Sequence, residues 1–597
     1  MQRLLALFAK HPWWVLLTLL LVSLLAASQL SRVQVQISAE ELLVIDDPQR
    51  ELYEQVRRTF GDEKIILLVL EDPQPLERGK LEALKTAIDE LEALPFVART
   101  ESLFSVPHVK TVDGYLDKEP YLAELPATLE DSQRLLQQAL NNPFVKQVLL
   151  APDGQAMAVA IVLEPGVADD YTVTGAVDRV AQGLAAHYQS AFAIGFAHVR
   201  TEIAGRIIEE QRALLPWAVG ALLIALFLLL RQFIDILTPI LTAGLSILWT
   251  FGVMGLLEIP LNVVTSTVPT LLIVVGSTED IHLLSEFRRG QHKGLGTPEA
   301  LRRMGRKMGR TVLLTFITTY VGFLSVGLSG IEVLWQFGVL ASTGLLFNFL
   351  VTISLIPALL TLTGRWQLDG RSRLVRAGAG NLAAGYWRWL SRYRWQVLGL
   401  LAAGAALGAL GIPAIQVNHS AIDSLARDSQ VRAQVQSLNR HFSGLESFSI
   451  VVESGIEDTF LKVRYLEELV QIQDHLRQTG LAKSSTSFAD YLALLNGAFQ
   501  ELPQAQMPLS DDEVGELMIF LDYDRVSGYV TEDYSRARIL VRHDITSTRE
   551  LRALLEDLNA FLAAELDPGL SASVSGDSML TLSATRAMID GQLQSIA

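Results

Sequence analysis

The run Pro12-Trp-Trp-Val-Leu-Leu-Thr-Leu-Leu-Leu-Val-Ser-Leu-Leu-Ala-Ala-Ser-Gln-Leu30 decides the class of this chain. It carries no charged side chain and is about long enough to cross a hydrocarbon layer roughly 30 Å thick. Six further apolar runs lie near 213–230, 234–257, 261–287, 311–329, 333–362 and 395–415. Loops between the middle five are too short to be domains, so the pattern predicts one five-helix bundle flanked by two isolated spans. A chain that is 50% apolar and only 19% charged has too little polar surface for a single soluble fold, which fits a polytopic α-helical membrane protein. Ala26, Ala27 and Ser28 loosely imitate a cleavage site, so a cleaved signal peptide is the alternative reading of the first run.

Basic residues favour the cytoplasmic side of short loops. Arg3 and Lys10 precede the first run, and Arg231 separates the second from the third. Arg288, Arg289, Lys293, Arg302, Arg303, Arg306, Lys307 and Arg310 follow the fourth; Arg365, Arg371, Arg373, Arg376, Arg388, Arg392 and Arg394 precede the seventh. All become cytoplasmic when the amino terminus is inside. The net charge of −16 then falls on two long outside segments, and an acidic exterior gives no reason to expect nucleic acid. With no Cys, each segment has to be held by its own core rather than by disulfides or thiolate metal sites. The expected division is a first transmembrane helix over 1–31, an outside α+β domain over 32–212 and the five-helix bundle over 213–363. A basic cytoplasmic loop with an interfacial helix over 364–394, a seventh transmembrane helix over 395–415 and a second α+β domain over 416–597 complete it. Within that loop, Tyr386 to Trp395 mixes aromatics with arginines, which suits anchoring in the membrane interface or contact with anionic lipid.

Sliding the sequence by 382 positions pairs Trp13 with Trp395, Val15 with Val397, Leu16 with Leu398, Leu19 with Leu401 and Leu25 with Leu407. The register continues through Val35 and Val417, Ser38 and Ser420, Ala39 and Ala421, Leu43 and Leu425, Asp46 and Asp428, Phe60 and Phe442, and Glu71 and Glu453. Parallel internal repeats of this kind build transporters from two similar halves. Near the end a shift of 381 aligns Gly195 with Gly576, Ile208 with Ile589 and Gln211 with Gln592, placing Ala597 opposite Pro216 at the start of the bundle. The expectation is a sequence that stops before a second bundle; a natural chain with seven spans is the alternative.

Hydrophobic periodicity predicts strands at 65–70, 97–102, 155–163 and 191–195 and helices at 77–94, 129–141 and 172–188. The second segment repeats this, with strands at 447–453, 481–487, 536–543 and 571–576, helices at 460–479 and 546–566, and a helical stretch over 488–520. Two β-α-β units per segment predict a ferredoxin-like split sheet with helices on one side.

Within Leu271-Leu-Ile-Val-Val-Gly-Ser-Thr-Glu-Asp-Ile-His-Leu-Leu284 two carboxyls and an imidazole interrupt an apolar span. An aspartate at a helix centre costs roughly 3 kcal/mol on insertion scales, so such groups face a cavity, find a partner or take up a proton. Glu279 and Asp280 are therefore the candidate proton relay, with Asp280 expected to face the bundle interior more directly. Candidate neighbours are His282, which shares a face with Glu279, Thr315, Thr318, Thr319 and Tyr320 on the fifth span, and Ser342, Thr343 and Asn348 on the sixth. The competing reading places the carboxyls near the cytoplasmic helix end, against water or Arg288 and Arg289. Pro216, Pro239, Pro269 and Pro357 and most glycines within spans read as packing residues; Gly276 is singled out beside the charged pair. No HExxH, phosphate loop or nucleophile elbow appears, so catalytic and metal residues are not expected.

One span, an outside domain, five spans, then span and domain again resembles the resistance-nodulation-division (RND) superfamily, in its MmpL-like and sterol-sensing-domain branch. Glu279-Asp280 falls where that family carries an acidic pair or an Asp-Tyr pair in its fourth span. The resemblance implies a secondary active transporter rather than an enzyme. Its coupling ion would be the proton, with no other cofactor, and its cargo a hydrophobic or lipid molecule such as a sterol or hopanoid. It implies a bacterial inner membrane, an amino terminus in the cytoplasm, periplasmic domains, surrounding membrane lipids and periplasmic lipid carrier proteins as candidate partners. Glutamate replaces the family's more usual first aspartate, and His282 stands where relatives often have an aromatic. Relatives complete the relay with residues of a tenth span, beyond the seven seen here. Two other classes stay open: a non-pumping lipid receptor or carrier, and an accessory of protein export.

Overall fold

The computed structural model describes residues 2–34, 48–61, 65–112, 115–164, 169–230, 233–262, 264–328, 330–363, 385–411, 422, 425–502 and 504–596. The repeat matches at Val35, Ser38, Ala39, Leu43 and Asp46, together with Arg231 and the loop arginines up to Arg376, lie outside them.

Helices α1 (Gln2–Lys10) and α2 (Pro12–Ala27) open the chain, with Pro12 in the first turn of α2, where a missing N–H removes no helix bond. A first α/β unit follows: α3 (Pro48–Phe60), β1 (Ile65–Glu71), α4 (Arg78–Glu92), β2 (Val97–Glu101), the hairpin β3 (Lys110–Val112) and β4 (Tyr115–Asp117), α5 (Leu129–Leu140), β5 (Ala156–Leu163), α6 (Asp170–Leu184) and β6 (Ser190–Gly195). Four strands form a sheet in the order β2-β5-β1-β6, every neighbouring pair antiparallel. The central β1 and β5 are buried over Ile66–Leu70 and Ala156–Ile161, and so read as continuous apolar runs. Helix α4 offers Leu81, Leu84, Ile88 and Leu91 to this core, and α6 offers Val173, Val177, Ala181 and Leu184, at helical spacing.

Strand β6 runs directly into α7 (Phe196–Leu230), so the second span is longer than its apolar run and is continuous with the sheet. After it come α8 (Phe233–Leu256), α9 (Val268–Gln291), α10 (Thr297–Val326), α11 (Glu332–Thr363) and α12 (Arg394–Gly411). Seven helices among the described residues are long and apolar enough to cross a membrane. Helices α8, α9, α10 and α11 pack together, with α7 against α8 and α9. The first span is not isolated, contrary to expectation: α2 lies on α8 and α11, burying Val15 and Leu19, and Trp249 Nε1 donates to Ser23 Oγ at 3.0 Å. Complementary shape decides this, and hydropathy carries no record of it. Helix α12 buries no residue.

The second α/β unit contains α13 (Gln430–His441), β7 (Glu446–Glu453), α14 (Val463–Thr479), β8 (Ala482–Thr486), α15 (Phe488–Phe499), α16 (Asp511–Met518), β9 (Arg536–His543), α17 (Thr548–Glu565), β10 (Ser571–Ser575) and α18 (Asp577–Ile596). Its sheet order is β10-β7-β9-β8, again antiparallel throughout. Gly195 ends β6 where an added Cβ would meet Ile65 O at 2.9 Å and Ile66 Cγ1 at 3.0 Å; at Gly576, with φ of +144°, it would meet Phe448 Cα at 2.7 Å. In both units a glycine lets the last strand turn into a helix tight against the central strand.

The two units exchange elements. Val435 and Leu438 of α13 and Phe442 just after it enter the core of the first unit, and the Ser437 hydroxyl donates to Glu71. In return Val56 and Phe60 of α3 pack on Val451 of β7, and Arg538 donates to Phe60 O at 3.3 Å with its guanidinium over the Phe60 ring. Val109, beside the hairpin, joins the second core, Thr111 Oγ1 donates to Ala498 O at 2.7 Å, and Phe144 meets Tyr491 and Tyr529 edge-on.

Candidate functional site

Asp280 is fully buried in α9, between α8 and α11. Thr352 Oγ1, on α11, donates to its Oδ1 at 2.7 Å, and Thr242 Oγ1, on α8, is hydrogen-bonded to its Oδ2. The Thr242 hydroxyl also lies 3.0 Å from Pro239 O. It has one hydrogen and two acceptors in reach. Either it donates to an ionised Asp280, or it donates to Pro239 O and accepts from a protonated Asp280. Both charge states of the carboxyl therefore find a complete hydrogen-bond partner without a change of backbone.

Thr238, Thr242, Ser246 and Thr250 recur every fourth residue along α8 and are all buried. Each hydroxyl lies 2.6–3.0 Å from a carbonyl of its own helix, so the stripe stays satisfied inside the bundle. Ser246 Oγ also lies 3.3 Å from Asn348 Oδ1. Asn348 reaches this position because Gly276 has no side chain: a Cβ there would collide with the Asn348 amide. At the far end of α8 the buried Asp235 accepts a two-pronged pair from Arg288, at 2.7 Å to each oxygen. Glu286 is similarly held by Arg303 at 2.9 Å and Lys307 at 3.5 Å.

Glu279 is buried but has no hydrogen-bond partner among the described residues. His282, Thr315 and Thr318 are exposed and Thr319 and Tyr320 half-buried; none bonds to either carboxylate, whereas Asn348 and Ser342 are buried. Arg288 is engaged by Asp235, and Arg289 lies against Glu286 rather than the acidic pair. Sequence reasoning overlooked Thr242 and Thr352, the two groups that bond Asp280. The hydroxyl repeat on α8 was the signal that could have found the first; Thr352 is one hydroxyl among several on α11.

The MMPL family model matches residues 46–398, more than half of the chain. The chain belongs to the MMPL family. This MMPL protein is 24% identical over 370 residues to membrane protein MJ1562 of Methanocaldococcus jannaschii, a match covering 60% of this chain and 92% of that one. It is 25% identical over 271 residues to MmpL10 of Mycobacterium leprae, named as a transport protein, covering 42% of this chain and 26% of the relative. A match to MdtC of Yersinia pestis, named as a multidrug resistance protein, is 25% identical and covers 49% and 29%. The MMPL chain thus spans well under two thirds of the last two relatives.

Proposed function

We propose that this MMPL chain belongs to a proton-driven, RND-type transporter for the export or inter-membrane trafficking of hydrophobic or lipid molecules across or out of a bacterial inner membrane. The relatives named as transport proteins support the general activity. In this reading the amino terminus is cytoplasmic, the two α/β units are ferredoxin-like porter domains on the periplasmic side, and they are halves of one internal repeat. Their like strand orders and matching glycines support the repeat.

The observation that carries the proposal is Asp280, buried between two hydroxyls on different helices. Protonation of Asp280 switches the Thr242 hydroxyl from one acceptor to the other and reverses the direction of the hydrogen bond that ties α9 to α8. The Asp235–Arg288 pair closes the other end, because a buried pair stripped of one partner is costly. Glu279 is the second proton acceptor, and the α/β units handle cargo as the helices continuous with them move.

The test is Asp280→Asn in the whole protein, reconstituted in proteoliposomes with a pH-sensitive dye and a lipid cargo. Proton flux and export are expected to fall at least about a hundredfold, the usual scale for a positioned proton carrier. Undiminished flux would sink the relay. Cargo transfer that survives collapse of the proton gradient would instead favour the non-pumping carrier.

A further inference from the structure

A cleft of about 540 Å³ opens between the two α/β units. One wall is the loop after α5, with Asn141 and Lys146; the other is the end of α14 and the strand β8, with Arg477, Lys483 and Ser484. Three cations and no carboxylate line it, on a chain whose net charge is −16. The loop is fixed at both sides of Lys146. Phe144 is wedged edge-on between Tyr491 and Tyr529, and the Gln147 carbonyl accepts from Ser443 N and Oγ at 3.0 Å each.

Lys146 has no ion-pair partner among the described residues. Arg477 and Lys483 pair with Asp474 and Asp544, which stand outside the lining. Such exposed pairs contribute little and are readily shared with another anion. Strand β8 has a sheet neighbour only on its β9 side, so backbone N–H groups along its outer edge have no strand partner.

The corresponding seam in the other half shows that the fold does not require these charges. Leu81, Leu84 and Leu91 of α4 occupy the places of Leu466, Leu469 and Leu476 in α14, and the bond from Ala151 N to Ala156 O matches that from Thr531 N to Arg536 O. In that register Lys146, Arg477 and Lys483 stand opposite Val526, Glu92 and Ala98. The scaffold is shared while these three cations belong to one copy; the other has Arg99, opposite Ser484, paired with Glu101 on its own strand.

We infer that this cleft binds an oxyanion, a phosphate or carboxylate carried either on the head of an amphiphile or by a free anion. Paired ammonium and guanidinium donors with open N–H groups are the chemistry that recognises such a head. The inference does not depend on the proton relay.

The test uses the purified whole protein in nonionic detergent, titrated calorimetrically with dihexanoyl phosphatidic acid, its phosphatidylcholine counterpart and inorganic phosphate. Phosphatidic acid should bind and phosphatidylcholine should not. The double variant Lys146→Ala/Lys483→Ala should weaken binding about tenfold or more, the scale of a lost charged hydrogen bond, while Lys85→Ala leaves it unchanged. Inorganic phosphate binding with the same dependence on the two lysines supports the site and assigns it to a free anion; binding of the amphiphile alone supports it and assigns it to a head group. Equal affinity in native and double-variant protein, or no binding of either anion, overturns it. Asp280→Asn should bind as the native protein does, so failure of the relay and failure of the cleft are read separately.

Discussion

At the scale of single residues, the hydroxyl of Thr242 matters because it has two acceptors and one hydrogen. Thr242→Ser keeps that choice and should keep proton flux within a few-fold, whereas Thr242→Val removes it and leaves Asp280 half-satisfied. An unmade hydrogen bond to a buried charge costs about 1–3 kcal/mol, so flux in the valine variant should fall about tenfold or more in the same dye assay. Equal flux in the two variants would show the hydroxyl to be incidental. Outside the membrane, burial and the neighbouring Asp577 push Glu446 up to about 7, partly offset by Ser578. An unfolded glutamate titrates near about 4.3, so between there and about 7 the folded unit holds the extra proton, and its stability falls as pH rises. Burial holds His543 down at about 4, with Ile545 N donating to its Nδ1, and between there and about 6.5 this acts in the opposite sense, across most of the same pH range. The comparison with Glu446→Gln isolates the glutamate. Amide protection of β7 should drop between pH 5 and pH 8 by on the order of 1 kcal/mol more in the native protein than in the variant.

Elements are joined in this molecule at places where a side chain is missing. A Cβ on Gly344 of α11 would meet Leu272 at 2.8 Å and Thr250 Oγ1 at 2.9 Å, so α8, α9 and α11 owe their spacing to that glycine. Gly576 plays the same part between β10 and α18. Gly576→Ala puts a methyl against the Phe448 backbone and should destabilise the second unit by about 1–3 kcal/mol. Gly515, in the middle of α16, has open space where a Cβ would go, and alanine there should stabilise by about 0.5–1 kcal/mol. Thermal unfolding of the two variants in detergent should therefore move in opposite directions. A Gly576→Ala protein as stable as the native one would mean that the turn from strand to helix has room to spare.

For the whole molecule, the exchange of α3 and α13 makes the two α/β units one mechanical body. The hydrophobic pattern of these helices is ordinary, Tyr53, Val56 and Phe60 on one and Val435 and Leu438 on the other, and nothing local says which sheet each covers. Phe144→Ala should loosen the seam by about 1–3 kcal/mol, because the ring fills a half-closed site between two tyrosines. Hydrogen exchange should rise in α15 and in the β3–β4 hairpin while β1 and β5 keep their protection. Uniform loss of protection through both units would show that Phe144 supports the fold rather than the joint.

The spans and the strands β1, β5, β7 and β9 could be read from composition and periodicity alone, because burial on all sides demands long apolar runs that local sequence records. Asp280 stood out for the related reason that a charge inside such a run is costly. The groups that bond Asp280 came only from tertiary structure: Thr242 and Thr352 are distant in sequence, and a hydroxyl on an apolar helix is common and cheap. The same holds for α2 docking on α8 and for the exchanged helices. Which surface an apolar face covers depends on the shape of its partner, and the order of residues along the face does not contain that shape.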